Sequence, residues 1–489
     1  MTPPSSTAVR RTAGNAAALV AAYVVGRGLA FVAVVVAARI VGTEAFGTYG
    51  AAAALAVMAS LVSTLGMTPL LVREMARDAD ESAGWLAAAD RVKHGSNVLM
   101  LGVLWWVAGP LLDLGSTAVA ASLLLGAGYA LGSYAENRLA WTRAVERMSL
   151  VTRATAVYGV VAGLAGVIAI AVTGSVVVFC GAPVLGQAAV LVFLRARLPS
   201  PLLEGRPRPG QVAELVRSVV PFAAGFVALT LFYKVDVLLL ERWRSREEVG
   251  LYVAAYRFVD LAHALALAGV GAVYPSLARR AGRAGRDGTG GRVGELVILA
   301  WAPFAAVLFL GREAATVGMF GGEYAEAVPV LALLTPAIPA LAFDLYAAYL
   351  LGAADRMRWM AGTFAVGLAL KVGLDAWLIP SLGARGAALA TLVAEVVLAA
   401  LFAAVLARVL DAVPRPRVVA TVAGVLALAA ACAILPAPAG GIVRGAVFLV
   451  ATAALYRAVG VITPGEWSAV KGALTWGVAP GRPEAERAR

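Results

Sequence analysis

A chain of 489 residues that is 61% hydrophobic and 14% charged falls well short of the roughly 25% charged residues of soluble domains. That excludes a string of soluble domains and points to an all-α polytopic membrane protein. The net charge of +12 does not argue for nucleic acid, because the Lys and Arg residues sit in alternate loops between apolar runs.

A membrane-crossing helix needs about 20 apolar residues. On that measure the chain contains fourteen expected spans, at 15–41, 45–72, 94–112, 116–139, 151–173, 175–194, 218–241, 250–276, 294–311, 327–351, 359–379, 384–407, 418–435 and 441–459. The first is too long for a signal-peptide core of about 7–15 residues and is read as a retained helix. Pro336 and Pro339 remove helix hydrogen bonds and predict a kink in the tenth span. Cys180 and Cys432 lie in apolar spans, which suggests neither a disulfide framework nor a metal cluster. His94 and His263 are too few for a zinc site.

Lys/Arg asymmetry sets the orientation. With the N-terminus inside, 30 of the 41 basic residues fall in cytoplasmic segments, among them Lys93, and six in outer loops. Both ends are therefore expected in the cytoplasm, in the cell's inner (plasma) membrane. The exception is the outer run Arg242–Arg246, offset by Glu241, Glu247 and Glu248. The stretch 195–217, with Pro199, Pro201, Pro207 and Pro209, has the composition of an extended linker. It divides an N-terminal six-helix lobe (1–194) from a C-terminal one (218–408). A two-helix hairpin (409–459) and a cytoplasmic tail (460–489), with an interfacial helix around Trp467–Trp476, follow.

The two lobes echo one another. At an offset of 203 residues, Arg39 aligns with Arg242, Glu44 with Glu247, Gly47 with Gly250 and Tyr49 with Tyr252. Six spans, an even number, separate the copies, so both lobes enter the membrane in the same sense. A cleft between such repeats is where a transporter binds its cargo.

These hairpins resemble the polysaccharide flippases of the multidrug/oligosaccharidyl-lipid/polysaccharide exporter superfamily. The likeness is carried by Phe46-Gly47-Thr48-Tyr49, Leu65-Gly66-Met67, Val72-Arg73-Glu74 and Tyr233-Lys234-Val235-Asp236. Glu248-Val249-Gly250-Leu251-Tyr252, Tyr274-Pro275-Ser276 and Leu382-Gly383-Ala384-Arg385-Gly386 complete it, so that it is spread over about residues 15–408. The resemblance implies a V-shaped, two-lobed fold of twelve helices, here with two added. It also implies movement of undecaprenyl-diphosphate-linked oligosaccharide from the cytoplasmic to the outer leaflet by alternating access. The sequence itself gives no reason to require a cofactor or a partner subunit, since two lobes in one chain already form a cleft, so a monomer among membrane lipids is expected. Rival readings are a lipid II flippase or cation-coupled drug exporter of the same superfamily, and a membrane glycosyltransferase or polymerase. Most outer loops are only a handful of residues long, and the sequence carries no nucleotide-binding loop or nucleophile–base set, so a non-enzyme is expected.

An anionic diphosphate in low dielectric needs fixed cations, and Arg binds phosphate bidentately. Substrate-binding candidates are Arg27, Arg257, Lys234 and Lys371, all within spans. Arg39, at a span end, is expected to snorkel to the interface. Arg257, Asp260 and His263 occur at i, i+3 and i+6 and form a stripe toward the cleft; a self-neutralising Arg257–Asp260 pair is the plainer alternative. Lys234 and Asp236 stand about 200° apart on a helix, so one is expected to face the cleft and the other to pair within the lobe. Lys371 and Asp375, at i and i+4, are expected to bridge. Intramembrane acids concentrate in the second lobe, where Asp236, Asp344, Asp260 and Asp375 are candidates for coupling to a proton or sodium gradient.

Overall fold

The computed structural model describes residues 6–64, 66–280, 289–410, 415–434 and 440–460. The interfacial helix expected around Trp467–Trp476 lies outside these residues. So does the side chain of Arg27.

Among the described residues the chain is helical from end to end. The first half comprises α1 (Ser6–Thr64), α2 (Met67–Arg77), α3 (Ser82–Trp106), α4 (Gly115–Ala144), α5 (Met148–Thr173), α6 (Val176–Cys180) and α7 (Ala182–Arg195). A short α8 (Ser200–Leu203) lies in the proline-rich connection. The second half comprises α9 (Gln211–Trp243), α10 (Arg246–Arg280), α11 (Thr289–Leu310), α12 (Ala327–Leu334), α13 (Ile338–Ala353), α14 (Met357–Leu382) and α15 (Ala384–Leu410). Two shorter helices, α16 (Pro416–Ile434) and α17 (Gly440–Ala458), follow.

Where described, the expected spans fall on helical backbone, with breaks at Gly66 and Gly181 inside the second and sixth. Nine helical stretches among the described residues are long and apolar enough to cross a membrane. Two reasons account for much of the gap from fourteen. The first two expected spans lie in a single stretch, Gly28–Arg77, and α3 carries Asp90, Arg91, Lys93 and His94. Lys93 on α3 is buried, and its ammonium donates to the Ser63 carbonyl.

The breaks have local causes. Gly42 interrupts α1 with φ 77° and ψ 178°, a conformation open to glycine and costly for residues with a Cβ. In the second lobe the corresponding break is the extended Arg244 between α9 and α10. The expected kink in the tenth span is present: Pro336 sits in a 3-10 turn, Thr335–Ala337, that separates α12 from α13.

Helices α1, α4, α5 and α7 pack together in one lobe, and α9, α10, α13, α14 and α15 in the other. The lobes meet where α1 lies against α9 and α10, and α3 against α9. The hairpin α16–α17 packs on α11.

Candidate functional site

The internal echo lies at the lobe interface. A Cβ on Gly47 would stand 1.8 Å from the Arg246 carbonyl oxygen, and one on Gly250 would stand 2.0 Å from the Thr43 carbonyl oxygen. These two contacts interchange under the 203-residue offset, as a pseudo-twofold axis between the repeats requires. Three residues further on, a Cβ on Gly50 would meet its own counterpart, Val253, at 2.6 Å. Glycine is needed here because backbone meets backbone.

Other bonds close the same end. Arg246 Nη2 donates to the Leu114 carbonyl at 2.6 Å, and Tyr324 Oη to the Ala38 carbonyl at 3.0 Å. Arg39, at the exposed end of its span, donates to the Gly318 carbonyl at 2.5 Å. Phe46 packs across this seam against Phe320 at a tilt and against Tyr324 edge-on, at centroid separations of 6.3 and 6.2 Å.

Beyond the closure, on the side away from the α1 kink, lies a cavity of about 480 Å³. Its lining runs from Val253 to Leu267 along α10, or about 20 Å at 1.5 Å per residue. The second-lobe wall is charged. Asp260 bridges two cations, with Oδ1 3.0 Å from Lys234 Nζ and Oδ2 3.4 Å from Arg257 Nη1. Each cation also lies over an aromatic ring, Lys234 on Tyr256 at 4.9 Å and Arg257 on Tyr49 at 5.3 Å. His263 stands beside Tyr233, their ring centroids 4.8 Å apart. Two cations against one acid leave the cluster with a surplus positive charge facing the cavity. The first-lobe wall carries no charged residue among the described side chains; Tyr49, Tyr129, Tyr158 and Gln187 are its polar members.

A second cluster is sealed inside the second lobe, away from the cavity. Asp236 is 0% and Lys371 1% exposed, and Lys371 Nζ lies 2.9 Å from Asp236 Oδ2. Lys371 also donates to Thr391 Oγ1 at 2.6 Å, while Tyr252 Oη donates to Asp236 Oδ2 at 2.7 Å. Asp375, one turn along α14, is buried without a hydrogen bond to a described residue. Asp344 on α13 and Glu395 on α15 are buried side by side.

The structure thus brings Arg257, Lys234, Asp260 and His263 to one cavity. The split expected for Lys234 and Asp236 is observed. Lys371 does not reach the cavity: full burial and the nearer carboxylate of Asp236, on another helix, hold it inside the lobe rather than in the expected bridge to Asp375. Sequence reasoning missed the tyrosines and Gln187. A glutamine in the middle of the 175–194 span was the available signal, whereas the tyrosines look like any other packed aromatic.

Known proteins bear on this architecture. The model of the polysaccharide biosynthesis protein family matches residues 13–280. The fold is similar to that of "Lipid II flippase MurJ, inward closed conformation", with a TM-score of 0.72 at 12% identity, over 90% of this chain and 99% of that one. It is also similar to an inward-facing multidrug resistance MATE family transporter of the MOP superfamily, with a TM-score of 0.58 at 14% identity, over 78% and 92% of the two chains. The MATE transporter VcmN of Vibrio cholerae in its bent form gives 0.56 at 15% identity, over 80% and 96%. No curated protein matches the chain in sequence.

Proposed function

Since the chain belongs to the polysaccharide biosynthesis protein family, we propose that it flips undecaprenyl-diphosphate-linked oligosaccharide from the cytoplasmic to the outer leaflet by alternating access. The observation that carries this reading is the Lys234–Asp260–Arg257 cluster, whose surplus cation faces a cavity between two repeats. A diphosphate entering there replaces Asp260 as the partner of Arg257 and Lys234, so the anion exchanges one counter-ion for another instead of meeting an empty apolar wall. Arg27, on α1, is a further candidate for the same headgroup.

Basic residues in alternate loops support an orientation in which the Gly47–Gly250 closure faces outward and both termini lie in the cytoplasm. The cavity then belongs to a state closed to the outside. The linker 195–217 joins lobes 1–194 and 218–408, which rock against each other, and the hairpin 409–459 rides on the second lobe. One chain supplies both walls of the cleft, which supports a monomer as the working unit.

Asp236, Asp375, Asp344 and Glu395 are candidates for coupling to a proton or sodium gradient, with Asp260 exchanging between its cations and the solvent of the cavity. Lys371 joins this set rather than the substrate site. Its ammonium occupies the position between Asp236 and Thr391 that a bound sodium ion would need, which favours the proton.

The test is flipping by the purified full chain in vesicles carrying a fluorescent undecaprenyl-diphosphate oligosaccharide in the inner leaflet. An imposed proton gradient should accelerate appearance in the outer leaflet, and Asp344→Asn should remove that acceleration. Flipping indifferent to both proton and sodium gradients would refute the coupling. No flipping beyond that of protein-free vesicles would refute the function.

A further inference from the structure

The charged wall accounts for a diphosphate but leaves the opposite wall unexplained. Tyr129 projects from the middle of α4 and is 42% exposed, yet it faces the cavity and not the bilayer. Its hydroxyl makes no hydrogen bond with a described residue, and neither does the Gln187 side-chain amide. Unpartnered polar groups on a cavity wall are groups kept for a ligand or for water. Tyr158 stands on the same wall.

Close packing through glycine holds these three side chains in place. A Cβ on Gly128 would lie 3.0 Å from Pro183 Cβ, and one on Gly132 would lie 3.0 Å from Gln187 Nε2. One on Gly186 would lie 2.8 Å from Ala162 Cβ and 3.0 Å from the Tyr158 ring. Helices α4, α5 and α7 are therefore locked together where they present Tyr129, Tyr158 and Gln187. The platform is pre-organised, which lowers the cost of binding to it.

From this juxtaposition we propose that Tyr129, Tyr158 and Gln187 form the subsite for the sugar joined directly to the diphosphate. A pyranose ring has an apolar C–H face and a rim of hydroxyls. A tyrosine ring covers the first, while a phenol and a carboxamide bond the second as both donor and acceptor. A free phosphate accepts from the same donors but has no apolar face for the ring, and a lipid tail has no hydroxyl rim, so only a sugar uses both features together. The cavity volume of about 480 Å³ is that of a single small-molecule site, about 300–1,000 Å³, and not of an extended glycan. The wall therefore reads the proximal sugar, and the remainder of the oligosaccharide lies outside the grip of these residues. This subsite rests on the proposed function, since it presumes that Arg257 and Lys234 hold the diphosphate across the cavity.

The experiment uses the full chain in phosphatidylcholine nanodiscs. The probes are a short-chain polyprenyl diphosphate, bare or carrying one glucose, galactose, N-acetylglucosamine or N-acetylgalactosamine. At least one sugar should tighten binding about tenfold over the bare diphosphate, the value of one or two satisfied polar contacts. Tyr129→Ala and Gln187→Ala should each remove most of that increment while leaving bare diphosphate binding unchanged, and Tyr129→Phe should keep part of it. Arg257→Ala should weaken bare and sugar-bearing probes by the same factor. The subsite is overturned if no sugar in the panel tightens binding, or if Tyr129→Ala weakens the bare diphosphate as much as the sugar-bearing one. Bare diphosphate binding that ignores Arg257→Ala would instead contradict the proposed function, and the two failures are thus told apart.

Discussion

The most exacting consequence of the closed interface concerns one methyl group. In Gly250→Ala the new Cβ would stand 2.0 Å from the Thr43 carbonyl oxygen and 3.1 Å from the Gly47 nitrogen. Real Cβ atoms do not approach within 3.0 Å of such an atom, so the seam must part by about 1 Å at this point. The obstacle is backbone, which cannot rotate away as a side chain can. Overpacking of this kind costs about 1–3 kcal/mol, and the cost falls on the closed state alone. The gain of roughly 1 kcal/mol that alanine brings to a helix interior is common to both states, because α10 is helical in each, and it cancels. The closed-to-open ratio should therefore fall by a factor of about 5–150, at 1.4 kcal/mol per factor of ten. Cys180 and Cys432 are the only cysteines, so replacing both with alanine and adding Ala53→Cys places one thiol on the cavity wall. Labelling of that thiol in intact cells by a membrane-impermeant maleimide should rise with Gly250→Ala. It should stay unchanged with Gly269→Ala, a site on the same helix where a Cβ meets nothing within 4 Å. Equal labelling of the two variants would refute the argument that this glycine pair closes the outer side.

Three further outcomes follow from the same geometry. Tyr324→Phe removes the bond to the Ala38 carbonyl, worth about 1 kcal/mol net, and should raise the same labelling several-fold; an unchanged rate would detach Tyr324 from the closure. Lys371→Met strands Asp236 in the second lobe without its counter-ion. The variant should lose about 3–5 kcal/mol of stability, seen as a lower unfolding midpoint in detergent, with Asp236→Leu added to it recovering much of the loss; a single variant as stable as the parent would contradict an ionic pair. Asp260→Asn leaves Lys234 and Arg257 without their shared carboxylate and should tighten binding of a bare polyprenyl diphosphate about tenfold, measured in neutral nanodiscs. Weaker binding would mean that Asp260 orients the cations instead of competing with the ligand.

How far the sequence foretold this molecule depends on the distance over which each feature acts. Span positions were legible because twenty apolar residues are a local signal, and so was the kink at Pro336. The repeat was legible too, since Gly47 and Gly250 sit at matching positions just after the break in each helical hairpin. That these glycines touch each other was not: a contact across 203 residues leaves no mark in either segment beyond the absence of a side chain. The same holds for the ion pairs. The Arg257–Asp260 pair is a helical i,i+3 neighbour and could be foreseen, whereas Lys234–Asp260 joins α9 to α10 and Lys371–Asp236 joins α14 to α9. Lys371 shows the limit of local reasoning, because Asp375 is the nearer acid in sequence and Asp236 the nearer in space. Tyr129 carries no sequence mark that separates a cavity wall from a packed helix face.

The central claim is that this chain carries a lipid-linked, diphosphate-bearing oligosaccharide across the membrane past Arg257. It is tested most directly by leaflet-resolved measurement of lipid-linked oligosaccharide in cells depleted of the protein. Rescue would use the wild-type chain or Arg257→Ala, at equal amounts in the membrane. The account predicts accumulation on the cytoplasmic face on depletion, cleared by the wild type and not by Arg257→Ala. A cytoplasmic-face pool that depletion leaves unchanged, or that Arg257→Ala clears as fast as the wild type, would contradict it.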